Sequence, residues 1–349
     1  MINKKLITKN KKIFLKKFSI DLMLDKISDD TIITKNVLSS CKHGTEKWII
    51  NQKAHWIKFK RDKDSNFFLE KKYRNYRDEQ SLGNMVVGKI MKVGKKIKEY
   101  KVGDKILAYS GSADYSDLNL SDIICKVKKN VPDENYLCFD PLIFSIGAIR
   151  DGKHKFGDNI AVVGMGAIGL VTLMLLEKTN NGNIIAVDSD IKRLRIAKKL
   201  GATHLINPKK IKNLENFRTK IDKIGMDVVI DFSGDVSGLN TAISLCKYNG
   251  KVVAGSMYSE ANSKLKLGKE FHWNNIKIIS SRVVNQPNID SPAWNINRIH
   301  KLAINILENS DYDFKKIINK KFNFNDSVKV YKKYIKNSSI LKITFKHHE

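Results

Sequence analysis

Residues 159–188 read NIAVVGMGAIGLVTLMLLEKTNNGNIIAVD. An apolar strand, a Gly-x-Gly-x-x-Gly turn, an apolar helix, a second strand and a terminal acid follow one another in the order a dinucleotide requires. Gly164 permits the tight strand-to-helix turn, Gly166 lets backbone approach a pyrophosphate, and Gly169 lets the helix pack against the sheet. The helix beginning near Gly166 aims its unpaired N–H groups and positive dipole end at the phosphates. Ile168 is counted with these glycines as a cofactor-binding position. Asp188 lies 19 residues beyond Gly169, where a carboxylate accepts hydrogen bonds from a ribose 2′-hydroxyl and repels a 2′-phosphate, so NAD is favoured over NADP. Two other readings compete: a purely structural glycine turn, and a membrane span over the apolar run Ile160–Leu176. Three glycines, polar Thr172 and the bounding Asp158 and Glu177 argue against the span, and no membrane partner is expected.

The 349 residues allow two domains with separate cores, and 42% hydrophobic content fits a globular chain. The formal net charge of +28 would suit nucleic acid, an anionic membrane or an acidic substrate. Yet the lysines run dispersed from Lys4 to Lys346, and the chain is equally rich in Asn and Ile, as mutational bias toward A and T would produce. Charge alone therefore assigns no function. The four cysteines, Cys41, Cys125, Cys138 and Cys246, show no Cys-x-x-Cys spacing, which predicts reduced thiols in a cytoplasmic setting and excludes a tetra-cysteine zinc lobe. The basic N-terminus MINKKLITKNKKIFLKKFSI has no continuous apolar core of a signal peptide and reads as paired strands.

The pattern up to about residue 148 is β-rich, with TIITKNVLSS, MVVGKIMKVG, KVGDKILAY and DIICKV separated by turn signals. Within it, residues 47–80 form a basic and aromatic insert carrying Trp48, Trp56, Phe59, Phe67, Phe68, Tyr73 and Tyr76. Such interleaving can stack bases over a cationic groove. The reading favoured is that the aromatics pack a small core, since no nucleic-acid-binding signature accompanies them and no nucleic acid is expected. From 149 to 286 strands and helices alternate, which predicts a doubly wound parallel α/β sheet: strands at 159–163, 184–188, 204–206, 227–231, 251–255 and 277–281, helices at 166–178, 191–200, 212–223 and 236–247. Ser233 and Gly234, past DVVID, and Ser256, past KVVAG, should line the crevice at the carboxyl ends of the strands, although serines there also suit ordinary turns. The segment 287–349 opens with an amphipathic helix in RIHKLAINILEN and returns to strands at KKIINKKFNF and ILKITF. It is expected to fold back onto the N-terminal β domain, giving domains of 1–148 with 287–349, and 149–286.

These motifs together resemble the medium-chain dehydrogenase/reductase superfamily, the alcohol dehydrogenase-like enzymes, over nearly the whole chain. VVGKIMKVGKKIKEYKVGDKILAY is similar to the family's GroES-like barrel segment, and AVVGMGAIGL, AVDSD, KKLGATHLINP, GMDVVIDFSG and NGKVVAGSMYS reproduce its cofactor domain in order. The resemblance implies a mostly β, GroES-like catalytic domain beside the Rossmann domain, a small-molecule substrate, and a homodimer as the form of assembly to expect.

In zinc-dependent members of the resembled family, a Cys-Gly-Thr-Asp segment, a Gly-His-Glu segment and a later Cys, Glu or Asp supply the metal ligands. This chain is a divergent branch: it has His43-Gly44-Thr45-Glu46 at the first, Gly83-Asn84-Met85 at the second and Asp140 at the third. Asn and Met are poor partners for a catalytic zinc, and Cys41 could substitute only with a two-residue shift of backbone, so no tightly bound zinc is expected. The residues that resemble the family's proton-relay site then become the candidates: Thr45 as the hydroxyl in contact with substrate oxygen and His43 as the acid/base, with Asp140 orienting it and Glu46 supporting the site. Against these roles stand a hydrogen-bonded core histidine and a helix-capping acid. The expectation is an NAD-dependent oxidoreductase acting on a small alcohol, polyol or sugar-like hydroxyl or the matching carbonyl. The alternatives are zinc-independent reduction of a quinone or enone, and a non-catalytic cofactor- or nucleic-acid-binding protein.

Overall fold

The computed structural model describes residues 2–20, 27–52, 59–62, 64–70, 79–179, 182–211, 214, 221–258, 264–285, 288, 290–318, 320–334 and 340–348, with the side chain of His43 excepted. The chain divides into two compact units, Met1–Leu137 with Ile318–Glu349, and Cys138–Ile317.

The first unit opens on a hairpin of β1 (Ile2–Lys9) and β2 (Lys12–Ser19). Its turn residues Asn10 and Lys11 both take positive φ, 47° and 61°, the mirror-image turn whose twist suits a two-residue hairpin. β3 (Thr31–Ser40) is followed by α1 (His43–Ile50), the short strands β4 (Phe59–Arg61), β5 (Phe68–Glu70) and β6 (Gln80–Ser81), and then β7 (Met85–Val93), β8 (Lys105–Tyr109), β9 (Tyr115–Asn119) and β10 (Ile123–Lys126). The C-terminal segment contributes β17 (Lys321–Asn323) and β18 (Thr344–Lys346). A seven-stranded sheet runs in the order β10-β8-β7-β3-β18-β17, with β9 also pairing β3. Ile32, Val86, Ile90, Ile106 and Leu118 fill one core of this mostly β unit, and Leu6, Cys41, Leu82, Tyr331 and Phe345 fill another. The last strand is fastened by buried polar contacts: His347 bonds Asp114 through Nδ1 at 3.1 Å and Ser39 Oγ through Nε2 at 2.8 Å.

The aromatic insert departs from the packed core expected for it. Among its described residues, Phe67 and Phe68 are 70% and 61% exposed on the β4–β5 hairpin, whereas Trp48 and Phe59 are half-buried. Trp56, Tyr73 and Tyr76 lie outside the described residues.

In the second unit, β11 (Ile160–Val163), β12 (Ile184–Val187), β13 (His204–Ile206), β14 (Met226–Asp231), β15 (Cys246–Ala254) and β16 (Lys277–Ser280) form one parallel sheet in the order β13-β12-β11-β14-β15-β16. Every residue of IAVV and IIAV is buried, as central parallel strands covered on both faces require. The crossovers are α4 (Ala167–Thr179), α5 (Ile191–Lys199) and α6 (Val236–Leu245). Asp190 and Asp235 start the last two by accepting from Lys192 N–H at 2.8 Å and Ser237 N–H at 2.7 Å, satisfying donors that a helix start leaves unpaired. The helix expected at 212–223 falls largely outside the described residues.

The unit borders differ from those expected at 148/149 and 286/287. α3 (Phe139–Gly152) and α8 (Ile296–Leu307) both belong to the second unit. Ile299, Ala303 and Leu307 form the buried stripe of α8, and Phe139 meets His300 edge-on at 5.0 Å. The apolar stripe therefore packs on α3, and the return to the β unit begins only at Ile318.

Candidate functional site

The glycine turn stands at the carboxyl end of β11, the central position of the parallel sheet. Gly164 has φ +90°, and a Cβ there would lie 2.7 Å from Ser233 N. A Cβ on Gly169 would lie 2.0 Å from the Gly164 carbonyl oxygen, so this glycine is what lets α4 close against the turn. Gly166 differs: nothing lies within 4 Å of its missing Cβ. It begins α4, its carbonyl accepting from Leu170 N–H at 3.0 Å, and the open space before a helix start with unpaired N–H groups is an anion cradle. Ile168 sits half-buried in the first turn of that helix, and its carbonyl accepts from Ser145 Oγ at 3.1 Å and Thr172 Oγ1 at 2.9 Å.

Asp188 follows β12 directly. Its Oδ2 accepts from Met165 N–H at 2.7 Å and its Oδ1 from Asp190 N–H at 2.7 Å. The carboxylate is thereby fixed beside the glycine turn, and each oxygen keeps a lone pair for a ribose hydroxyl. Arg193 Nη1 stands 4.0 Å from Asp188 Oδ2, a cation that sequence reading passed over. Its signal was position: one turn into the helix that follows the acid.

Ser233 is held in the turn after β14 by its own N–H, which donates to Asp231 Oδ1 at 2.8 Å. Asp231 is fully buried, and Tyr258 Oη donates to its Oδ2 at 2.8 Å. Burial pushes the Asp231 carboxyl up to about 6, with the hydrogen bonds from Ser233 and Tyr258 pulling the other way. Neither Asp231 nor Tyr258 was singled out from the sequence, although a lone acid ending the apolar run MDVVID was visible there.

The first unit holds the segment expected to handle the hydroxyl group. His43 is the first residue of α1, Thr45 is half-buried on it, and Glu46 is buried. Glu46 Oε1 accepts from Lys42 N–H at 2.9 Å and Gly83 N–H at 3.0 Å, and Tyr331 Oη donates to Oε2 at 2.6 Å. One carboxylate thus ties HGTE to the Gly83-Asn84-Met85 segment and to the helix Ser327–Tyr334. Burial raises the Glu46 carboxyl above its ordinary value, opposed by these hydrogen bonds and by Lys342. Asp140 lies in the second unit, buried in the first turn of α3, where a carboxylate is favoured by the helix dipole.

The donor set bears on zinc. Asn84 Oδ1 is buried without a partner, an acceptor able to receive a hydrogen bond from a hydroxyl. Cys41 is buried beside Tyr331 and Glu46, and burial holds its thiol far above the ordinary value. Among the described residues no three His, Cys, Asp or Glu side chains gather to hold a metal.

A six-stranded parallel sheet in the 3-2-1-4-5-6 order, with its glycine turn on the first strand and an acid after the second, defines a dinucleotide-binding protein of the doubly wound class. Residues 167–296 match the family described as zinc-binding dehydrogenase. D-guloside 3-dehydrogenase of Escherichia coli (strain K12) is 31% identical over 256 residues, 73% of each chain. Sorbitol dehydrogenase of Bacillus subtilis (strain 168) is 25% identical over 229 residues, 56% of this chain and 65% of that one. The crystal structure of galactitol-1-phosphate dehydrogenase from Escherichia coli shares the fold at a TM-score of 0.77 and 14% identity, covering 98% of this chain and 99% of that chain. The chain belongs to the medium-chain dehydrogenase/reductase superfamily of alcohol dehydrogenase-like oxidoreductases. No helix among the described residues is long and apolar enough to cross a membrane.

Proposed function

We infer that this protein is an NAD-dependent oxidoreductase that moves a hydride between nicotinamide and the hydroxyl-bearing carbon of a small polyol or sugar-like compound, without a tightly bound catalytic zinc. The observation that carries the reading is the Asp188 carboxylate held against the glycine turn by Met165 N–H at 2.7 Å. The names of the relatives, D-guloside 3-dehydrogenase and sorbitol dehydrogenase, support hydroxyl-rich substrates.

The nicotinamide nucleotide supplies the electron-accepting carbon. Gly164 and Gly169 shape the turn, Gly166 and the N-terminus of α4 would receive the pyrophosphate, Asp188 would take the adenosine ribose, and Ile168 and Ser233 would border the same site. Departure of hydride leaves a carbonyl forming at the substrate, so the hydroxyl proton must leave with it. Thr45 serves as the hydroxyl that contacts substrate oxygen and His43 as the group that exchanges the proton; Asp140 is the further acid that the resemblance assigns to this chemistry. Asn84 and Met85 do not suit zinc, which leaves the proton to these side chains.

Protein of measured metal content, assayed with alcohols, polyols and sugar derivatives and with each nucleotide, tests the reading. NADH should form with a hydroxyl-rich substrate. Thr45→Val should lower kcat by about 100-fold or more, the usual scale of a positioned proton-transfer group. Turnover that depends on stoichiometric zinc, or that survives Thr45→Val unchanged, would refute it.

A further inference from the structure

Three loops meet at the carboxyl edge of the parallel sheet, and one buried carboxylate joins them. The glycine turn touches the turn after β14, where a Cβ on Gly164 would strike Ser233 N and Phe232 C at 2.7 and 2.8 Å. Ser233 N–H in turn donates to Asp231 Oδ1 at 2.8 Å. The other oxygen of Asp231 receives Tyr258 Oη at 2.8 Å, and Tyr258 ends the described part of the loop that follows β15. That loop abuts the same turn: a Cβ on Gly255 would lie 2.4 Å from Phe232 Cε1, and one on Gly234 would lie 3.5 Å from the Met257 carbonyl oxygen. Gly255 N–H also donates to the Asp231 carbonyl at 2.9 Å.

We propose that Asp231 and Tyr258 are positioning residues for the dinucleotide: their hydrogen bond clasps the Gly255–Tyr258 loop to the turn that buttresses the phosphate-binding glycines. The proposal rests on the cofactor reading given above. A fully buried acid has no role in packing that an amide or a leucine could not fill, and burying it is costly. Its two oxygens are instead spent on joining the rim loop to the turn that supports Gly164.

The clasp is strongest when Asp231 is ionised, since a carboxylate accepts a phenol hydrogen bond more strongly than a neutral acid does. From β11 and β15 the residues in register with Asp231 are Val163 and Ala254, and α6 presents Gly238. Among the described residues, the ionisable groups around the carboxylate are Tyr258 from the rim loop and Asp235 from the adjoining turn; Asp235, like burial, pushes Asp231 up. Burial and Asp231 together hold the Tyr258 phenol far above its ordinary value, so it remains the donor. The clasp therefore tightens as pH rises through about 6, and nucleotide affinity rises with it.

The test is calorimetric titration of NAD into the full-length protein, Tyr258→Phe and Asp231→Asn, at several pH values between about 5 and about 8, with melting curves to establish folding. The wild type should bind roughly fivefold more tightly at the upper end than at the lower, the difference between a charge-assisted and a neutral hydrogen bond. Tyr258→Phe should bind more weakly at the upper end by a similar factor, and both variants should lose this step. Should Asp231→Asn fail to fold, Tyr258→Phe alone carries the comparison. A folded Tyr258→Phe protein that keeps the wild-type profile overturns the clasp and leaves the cofactor reading intact. Absence of NAD binding by the wild type at every pH overturns both.

Discussion

Replacing Gly166 with alanine separates the fold from the ligand. The new Cβ meets nothing within 4 Å, and Gly166 is not among the glycines with positive φ, so the substitution introduces neither overlap nor backbone strain. The remaining folding cost is the poorer cap that alanine makes at the helix start, about 1 kcal/mol. The space it fills is where a pyrophosphate must approach backbone N–H groups. Losing one such charge-assisted hydrogen bond costs about 1.5–3 kcal/mol, which is roughly 10- to 100-fold in Kd. Gly164→Ala provides the contrast, because there the φ of +90° and contacts of 2.7–2.9 Å to the backbone of Ser233 and Phe232 act on the protein itself. Conformational strain of about 1–2 kcal/mol and overpacking of about 1–3 kcal/mol should lower its stability whether or not nucleotide is present. Urea denaturation of the unliganded variants and calorimetric titration with NAD read the two effects independently. A folded Gly166→Ala protein with wild-type affinity would refute the placement of the pyrophosphate. Equal stability of Gly164→Ala and wild type would refute the packing of the turn.

Three other outcomes follow from the geometry. Asp188→Asn should narrow the preference for NAD over NADP by roughly tenfold, since a carboxylate and a 2′-phosphate about 5 Å apart repel by 1–2 kcal/mol at the effective dielectric of a partly solvated site; equal affinities in the wild type would contradict the role of Asp188, and competitive binding of the two nucleotides measures it. Glu46→Ala strands two backbone donors and the Tyr331 hydroxyl in the interior and should cost about 3 kcal/mol or more in urea denaturation, whereas Glu46→Gln keeps an acceptor for both N–H groups and should recover most of that loss. Burial lowers the His347 imidazole below its ordinary 6.5, against the pull of Asp114: the unfolded chain takes up a proton that the folded ring resists, so this contribution is complete above about 6.5 and is lost as pH falls through the lowered folded value. His347→Gln should therefore blunt the acid side of the stability profile, as thermal melts across that range would show.

The dinucleotide half was readable because its determinants are local. In β11 and β12, period and composition dictate buried strands, and the glycines sit at fixed offsets from them, so strands expected at 159–163 and 184–188 form at 160–163 and 184–187. The amphipathic helix of the C-terminal segment was equally visible, forming at Ile296–Leu307 with its apolar stripe buried. Its partner was not, because an apolar stripe announces that it will be covered without saying by what. The same limit applies to the insert, where aromatic composition suggested packing and the β4–β5 hairpin leaves Phe67 and Phe68 exposed.

The polar interior was illegible for a related reason: its pairings between side chains join residues far apart in sequence. Glu46 meets Tyr331 across 285 positions, His347 meets Asp114 across 233, and Tyr258 meets Asp231 across 27. Nothing local marks Tyr331 as the donor that a buried Glu46 needs, yet once the chain is folded the accounting is strict, because an ionisable group taken out of water must find partners or lose its charge. The Glu46 cluster meets that demand with two backbone N–H groups and a phenol, which fixes HGTE against the Gly83-Asn84-Met85 segment. Asp231 meets it with one N–H and one phenol, and burial still leaves it titrating near 6. Glu46 stands on α1 within the segment proposed to handle the hydroxyl, and Asp231 stands behind the turn that buttresses the glycines proposed to hold the dinucleotide. Buried acids are costly to keep in a scaffold that packing alone could build, and under the function proposed above their placement at these two segments would connect the stability of this chain to its activity.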